Sequence, residues 1–214
     1  MNIKKILWIY SELIEWKQTL LLVYTAVFAY LISAVSTTFK WIDLIFLFIS
    51  MFFAISGTTI LNMFYDADID KKMERTKDRP IPSGKISLQT TLINGIIITT
   101  IGVLLAFIFL DWLTALLIFL GFFFDFVIYT IWLKRRTKLS IFFGGIAGGL
   151  PAMAGRVLAI KTIDHIAIYF LLFVLTWIPV HILTLASFPH NIQGYREANV
   201  PMWPVVSSEK ETMR

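Results

Sequence analysis

Six stretches of this chain each run for about 20 residues with almost no charge, and that pattern constrains its fold more than any other feature. A helix of that length spans the hydrocarbon core of a bilayer, and only helices and closed barrels satisfy their backbone there. The stretches fall at roughly 18–36, 41–64, 88–110, 112–133, 139–160 and 163–188. The 214 residues are 57% hydrophobic and 15% charged, a balance foreign to a soluble domain of this size. The expected fold is all-α: one polytopic membrane helix bundle over 1–214 with six transmembrane helices. Residues 1–17 read as an amphipathic lead-in, with Leu7, Trp8, Tyr10 and Leu13 interrupted by Ser11, Glu12 and Glu15. No short apolar core before a small-residue cleavage site follows the N-terminus, so no cleavable signal is expected. The absence of cysteine excludes disulfides, zinc thiolate sites and thiol nucleophiles.

The charges sort by side. Of the 19 basic residues, only Lys40, Arg156 and Lys161 fall outside, on the side opposite the N-terminus, or are buried near that outer end. The others lie in the lead-in, in 65–87, in 134–138 and in the segment after the sixth span, which includes Lys210 and Arg214. Basic loops stay in the cytoplasm, so both termini are expected there, in a multi-pass protein of the cell (plasma) membrane. The net charge of +5 then marks topology, and nucleic acid is not an expected partner.

One of these basic segments also carries acids. In Asn62-Met-Phe-Tyr-Asp-Ala-Asp-Ile-Asp70, residues Asn62, Asp66 and Asp70 are four apart and form one helical stripe climbing roughly 12 Å. Asp68 lies about 200° round from Asp66 and is assigned a secondary role, pairing with a nearby Lys or Arg. Hard oxygen ligands at a membrane surface suit Mg²⁺ holding a diphosphate, with Arg75 and Arg79 to grip phosphate oxygens. Mixed charges at a solvated helix end are ordinary, but Asn62 lies a turn inside an apolar span, where polar groups usually have a role. Pro80, Pro82, Ser83 and Gly84 turn the chain toward the third span. Lys134, Arg135 and Arg136 can complete an anion site from across the bundle, or simply anchor a helix end.

Two further residues stand out. Asp125, within Phe122-Phe-Phe-Asp-Phe126, is a buried acid in a span, either functional or paired with a basic residue of the adjacent cluster. His181, after Pro179, is the only histidine inside a span. It can ligate a porphyrin iron or move a proton, although a lone histidine is more often a hydrogen-bonded helix residue.

The acidic stretch with Met73, Arg75-Thr76 and Arg79-Pro-Ile-Pro-Ser-Gly84 resembles the first aspartate-rich motif of the UbiA-type intramembrane prenyltransferases. Further similarity, to the protohaem IX farnesyltransferase (haem O synthase) branch, lies at Tyr129-Thr-Ile-Trp-Leu-Lys-Arg-Arg-Thr137 and at Gly144 through Pro151 to Gly155. It continues at Trp177 to Ala186 and at Tyr195 through Val206. The resemblance implies transfer of a farnesyl group from farnesyl diphosphate to a vinyl group of haem b, giving haem O and diphosphate. It implies Mg²⁺ on Asn62, Asp66 and Asp70 as the catalytic set, and diphosphate contacts from Arg75, Arg79, Lys134 and Arg135. Haem contacts are then expected from Asp125, His181 and Tyr195, a lipid bilayer around the bundle, and haem A synthase or terminal oxidase assembly downstream. The family has about nine spans, so the C-terminal helices are expected to be lacking here. Gly194 stands before Tyr195 where the family usually has an acid, leaving Glu197 as the nearby carboxylate and arguing against a second metal cluster. The alternatives are a UbiA-type enzyme acting on a quinone precursor or glycerol-phosphate lipid, and an inactive membrane fragment or scaffold.

Overall fold

Each expected span is a helix in the computed structural model of the protein, which describes residues 3–35 and 37–207. A surface helix, α1 (Ile3–Leu13), precedes α2 (Trp16–Ala34) and α3 (Trp41–Tyr65), and a single turn, α4 (Ala67–Asp70), follows. Then come α5 (Leu88–Phe109), α6 (Trp112–Phe122) with a π-helical continuation over Phe123–Leu133, α7 (Ser140–Ile160) and α8 (His165–Ala186). Two short helices, α9 (Pro189–Glu197) and α10 (Trp203–Val206), complete the described residues. Six of these helices are long and apolar enough to cross a membrane, making this a multi-pass membrane protein. Lys210 and Arg214 lie outside the described residues.

Local chemistry explains where the ends differ from expectation. The first span begins at Trp16 because Glu15 takes a left-handed backbone, φ 44° and ψ 55°, and breaks the chain between α1 and α2. The sixth starts at His165 because the Asp164 carboxylate accepts from the Ala167 amide at 2.8 Å, an N-cap. Asp111 does the same for α6 through Thr114, at 2.9 Å.

Helix association in a bilayer gains little from excluding water, so small residues that let backbones meet carry much of the packing. The α7 helix is the most enclosed and packs against α2, α6 and α8. A Cβ added at its Gly155 would sit 2.0 Å from the Ala26 carbonyl oxygen of α2. On the opposite side of the bundle α3 and α5 are pressed together, and a Cβ at Gly102 would lie 2.2 Å from the Ala54 amide.

The two ends of the bundle differ in chemistry. At one end Lys161 reaches Asp111 at 3.2 Å and Asp43 at 3.7 Å, and Arg156 pairs with Asp164 at 2.7 Å. At the other, called here the motif face, the chain from Lys71 to Ser87 folds back over the end of α3. It buries Met73 and Ile81, turns at Gly84 with φ 71°, and starts α5 with the Ser87 hydroxyl on the Thr90 amide. Ile69 and Met73 form an apolar cluster with Ile141, Ala186, Val200 and Met202, which lays the segment after α8 across this face.

Candidate active site

The acidic stripe keeps its register across a break. The α3 helix ends at Tyr65, and Asp66 sits at φ −90° and ψ 6° before α4 begins. Backbone bonds nevertheless continue from Asp66 to Asn62 at 2.9 Å and from Asp70 to Asp66 at 2.8 Å. Asn62, Asp66 and Asp70 therefore follow one another as they would on an unbroken helix. Asp66 and Asp70 are buried, while the Asp68 side chain is 63% exposed.

The facing wall is the π-helical segment. Its i→i+5 bonding, seen where the Lys134 amide donates to Tyr129 at 2.7 Å, widens each turn so that residues five apart come to the same side of the helix. In an α-helix such residues would stand about 140° apart. Asp125 and Thr130 accordingly reach the same side chain. The Asn62 amide donates to Asp125 at 2.7 Å, and its oxygen accepts from the Thr130 hydroxyl at 2.9 Å.

The three motif aspartates and Glu15 each have a cationic partner. Lys134 pairs with Asp66, and Arg79 bridges Asp70 at 2.9 Å and Glu15. Arg135 forks onto Asp68 at 2.7 and 2.8 Å and donates to the Tyr65 carbonyl at 2.8 Å, closing the end of α3. Burial by itself lowers the Lys134 pKa, but the Asp66 carboxylate more than offsets it, so the ammonium is held well above its usual range. The hydrogen bond from Arg135 lowers the Asp68 pKa despite some desolvation.

Two atoms in this network are left over, the acceptor Asp66 Oδ1 and the donor Arg135 Nε. Asp66 Oδ1 is buried without a hydrogen-bond partner, with the Arg135 guanidinium 3.9 Å away. An acceptor in that state costs about 1–3 kcal/mol unless something completes it. A divalent cation suits these donors: they are hard oxygens, and Asn62 Oδ1 keeps a lone pair beyond its bond from Thr130. Among the described residues no three His, Asp or Glu groups cluster closely enough to hold a metal unaided. A cation on Asn62, Asp66 and Asp70 would thus need oxygens from its own ligand or from water.

The remaining expected residues are spread more widely. Arg75 is exposed and has no hydrogen-bond or ion-pair partner among the described residues, leaving it available to an anion. Tyr195 is half-buried in the segment laid over the motif face, within electrostatic reach of Lys134. Asp125 has Asn62, not a basic side chain, as its hydrogen-bond partner. His181 lies on an exposed face of α8, stacked on Trp177 with ring centres 4.8 Å apart, and does not join the acidic network.

Glu15 and Thr130 are the participants that sequence reasoning missed. Glu15 was visible as an acid one residue before a span, on the face otherwise crowded with bases. Thr130 was visible as a hydroxyl in an apolar run. Glu15 has no motif, the motif Tyr129–Thr137 that holds Thr130 names no partner for it, and each acquires its partner only through folding.

Comparison with known proteins agrees with this architecture. The model of the UbiA prenyltransferase family matches residues 22–214. A protoheme IX farnesyltransferase from Korarchaeum cryptofilum is 41% identical over 92% of this chain and 65% of its own length. One from Hyperthermus butylicus is 44% identical over 89% and 63%, and one from Bartonella quintana 39% identical over 96% and 65%. The chain spans just under two thirds of the length of these three curated relatives. Among solved structures, a digeranylgeranylglyceryl phosphate synthase superposes with a TM-score of 0.77 at 22% identity, over 97% of this chain and 71% of the other. A UbiA homologue from Archaeoglobus fulgidus bound to DMAPP and Mg²⁺ gives 0.76 at 14% identity, over 95% and 71%. At these identities the structures share the fold.

Proposed function

Because the chain belongs to the UbiA prenyltransferase family, we propose that it serves transfer of a farnesyl group from farnesyl diphosphate to a vinyl group of protohaem IX, giving haem O. The observation that carries the prenyl-diphosphate half is the buried, unpartnered Asp66 Oδ1 set among Asn62, Asp70, Lys134 and Arg79. The haem half rests on relatives named protoheme IX farnesyltransferase at about 40% identity.

Asn62, Asp66 and Asp70 would hold Mg²⁺, which when bound supplies charge neutralisation for the diphosphate leaving group. The chain's own part is to bind and to exclude. Arg79 and Lys134, now paired with Asp70 and Asp66, turn part of their hydrogen bonding to phosphate oxygens, with Arg75 and Arg135 at the rim. Apolar helix walls keep bulk water from the allylic carbon as its C–O bond breaks and its bond to the terminal vinyl carbon forms. Water then adds to the porphyrin-side cation and loses a proton, leaving a hydroxyl. Asp125 and Tyr195 border this region, and His181 would reach only a porphyrin lying along the α8 face. The motif face is cytoplasmic in this reading, in the plasma membrane, with the product passing to haem A synthase or oxidase assembly.

The test is direct. Purified chain given haem b, farnesyl diphosphate and Mg²⁺ should yield a farnesylated, hydrated porphyrin by mass, with diphosphate released. Product with a quinone precursor or a glycerol-phosphate lipid instead of haem would overturn the acceptor but keep the donor.

A further inference from the structure

Resting on the reading of Asn62 as a metal ligand, we propose that Asp125 and Thr130 are positioning residues that lock the Asn62 side-chain amide in the one orientation that offers its oxygen to a divalent cation. A side-chain amide has two faces of nearly equal shape and opposite polarity, and its neighbours decide which way it points. At Asn62 the decision is made by Asp125. The Asp125 carboxyl oxygen accepts from Nδ2 at 2.7 Å, which turns Oδ1 to the other side of the amide. Thr130 cannot choose alone, since its hydroxyl donates or accepts, but it follows the choice and donates to Oδ1 at 2.9 Å.

The direction of the lock matters. Along the π-helical segment Asp125 comes first, Thr130 one turn later, and Lys134 last, where it pairs with Asp66 at the motif face. Asn62 Nδ2 therefore points into the bundle, and Oδ1 points toward the level at which Asp66 Oδ1 lies buried without a partner. A flipped amide would turn N–H groups toward that level and set two acceptors against each other at Asp125. The wide π turn is what allows one segment to hold both ends of one amide. Asp125 itself is not a ligand in this arrangement. It acts through Asn62, as the groups that orient metal ligands commonly do, and loss of such a group typically costs about 10- to 100-fold in metal affinity.

The experiment compares three variants of the full chain in detergent. Asp125→Leu removes the acceptor at similar volume, Asp125→Asn keeps an acceptor oxygen but no charge, and Thr130→Val removes only the hydroxyl. Mn²⁺ binding in the presence of inorganic pyrophosphate, read by electron paramagnetic resonance, gives an affinity independent of turnover. Asp125→Leu is expected to weaken Mn²⁺ binding by roughly 10-fold or more, and Asp125→Asn, whose amide can donate or accept, and Thr130→Val by smaller factors in the same direction. Unchanged Mn²⁺ affinity in folded Asp125→Leu overturns the proposal. If Asp125→Leu does not fold, unchanged affinity in Thr130→Val overturns it. A wild-type chain that binds no Mn²⁺ with pyrophosphate overturns the metal reading itself, and this inference with it.

Discussion

Asp66 and Asp68 are chemically identical and two positions apart, yet one is buried against Lys134 and the other lies 63% exposed against Arg135. The difference is helical phase, and it separates their expected roles. Asp66→Asn should lower prenyl transfer by roughly 100-fold or more, the scale on which charge stabilisation of a leaving diphosphate operates. Asp68→Asn removes an exposed ion pair and should stay within roughly 3-fold. Initial rates at saturating Mg²⁺ separate the two, and equal losses would defeat the phase argument. Lys134 carries a different expectation. Truncating one partner of a buried ion pair leaves an uncompensated charge, so Lys134→Met should destabilise the fold by about 3–5 kcal/mol. Adding Asp66→Asn to that variant should restore much of the loss, because the stranded charge is gone. Thermal melts of the four proteins in detergent check the cycle.

At the scale of elements, glycines of similar appearance in the sequence have opposite meanings. A methyl at Gly155 would meet the Ala26 carbonyl oxygen at 2.0 Å, whereas one at Gly121 has nothing within 4 Å. Gly155→Ala should cost about 1–3 kcal/mol or more through forced separation of α2 and α7. Gly121→Ala should stabilise α6 by about 0.5–1 kcal/mol, since alanine loses less backbone freedom. Melting temperatures moving in opposite directions are the expected result. The same contrast marks what could be read from sequence. All six spans were legible, because a bilayer enforces long uncharged runs. So was the phase of Asn62, Asp66 and Asp70, which depends on helical periodicity alone. The π-helical segment was not legible: Phe123–Leu133 is as apolar as any span and carries no residue that marks a wide turn. Asp125 could thus be recognised as costly in its place, while its partner Asn62 could not be named. Glu15 escaped for a related reason, since its pairing with Arg79 depends on a fold that returns the loop after α4 to the start of α2.

For the molecule as a whole, the basic residues predict a direction across the membrane. Lys77 and Lys40 are both exposed and belong to opposite ends of the bundle. In a chain without cysteine, Lys40→Cys should react with an impermeant maleimide on intact cells and Lys77→Cys should not. The reverse pattern would invert the protein and place the motif face outside. The pairing of acids and bases at that face also bears on the choice of buffer. Asp66 and Asp70 already hold cations in a setting largely shut off from solvent. The arrival of a metal–diphosphate ligand would therefore exchange partners more than it would bring bare charges together, and mobile ions screen enclosed partners weakly. Equilibrium affinity should change little as ionic strength rises toward physiological values, whereas the rate of encounter, drawn by exposed bases such as Arg75, should fall.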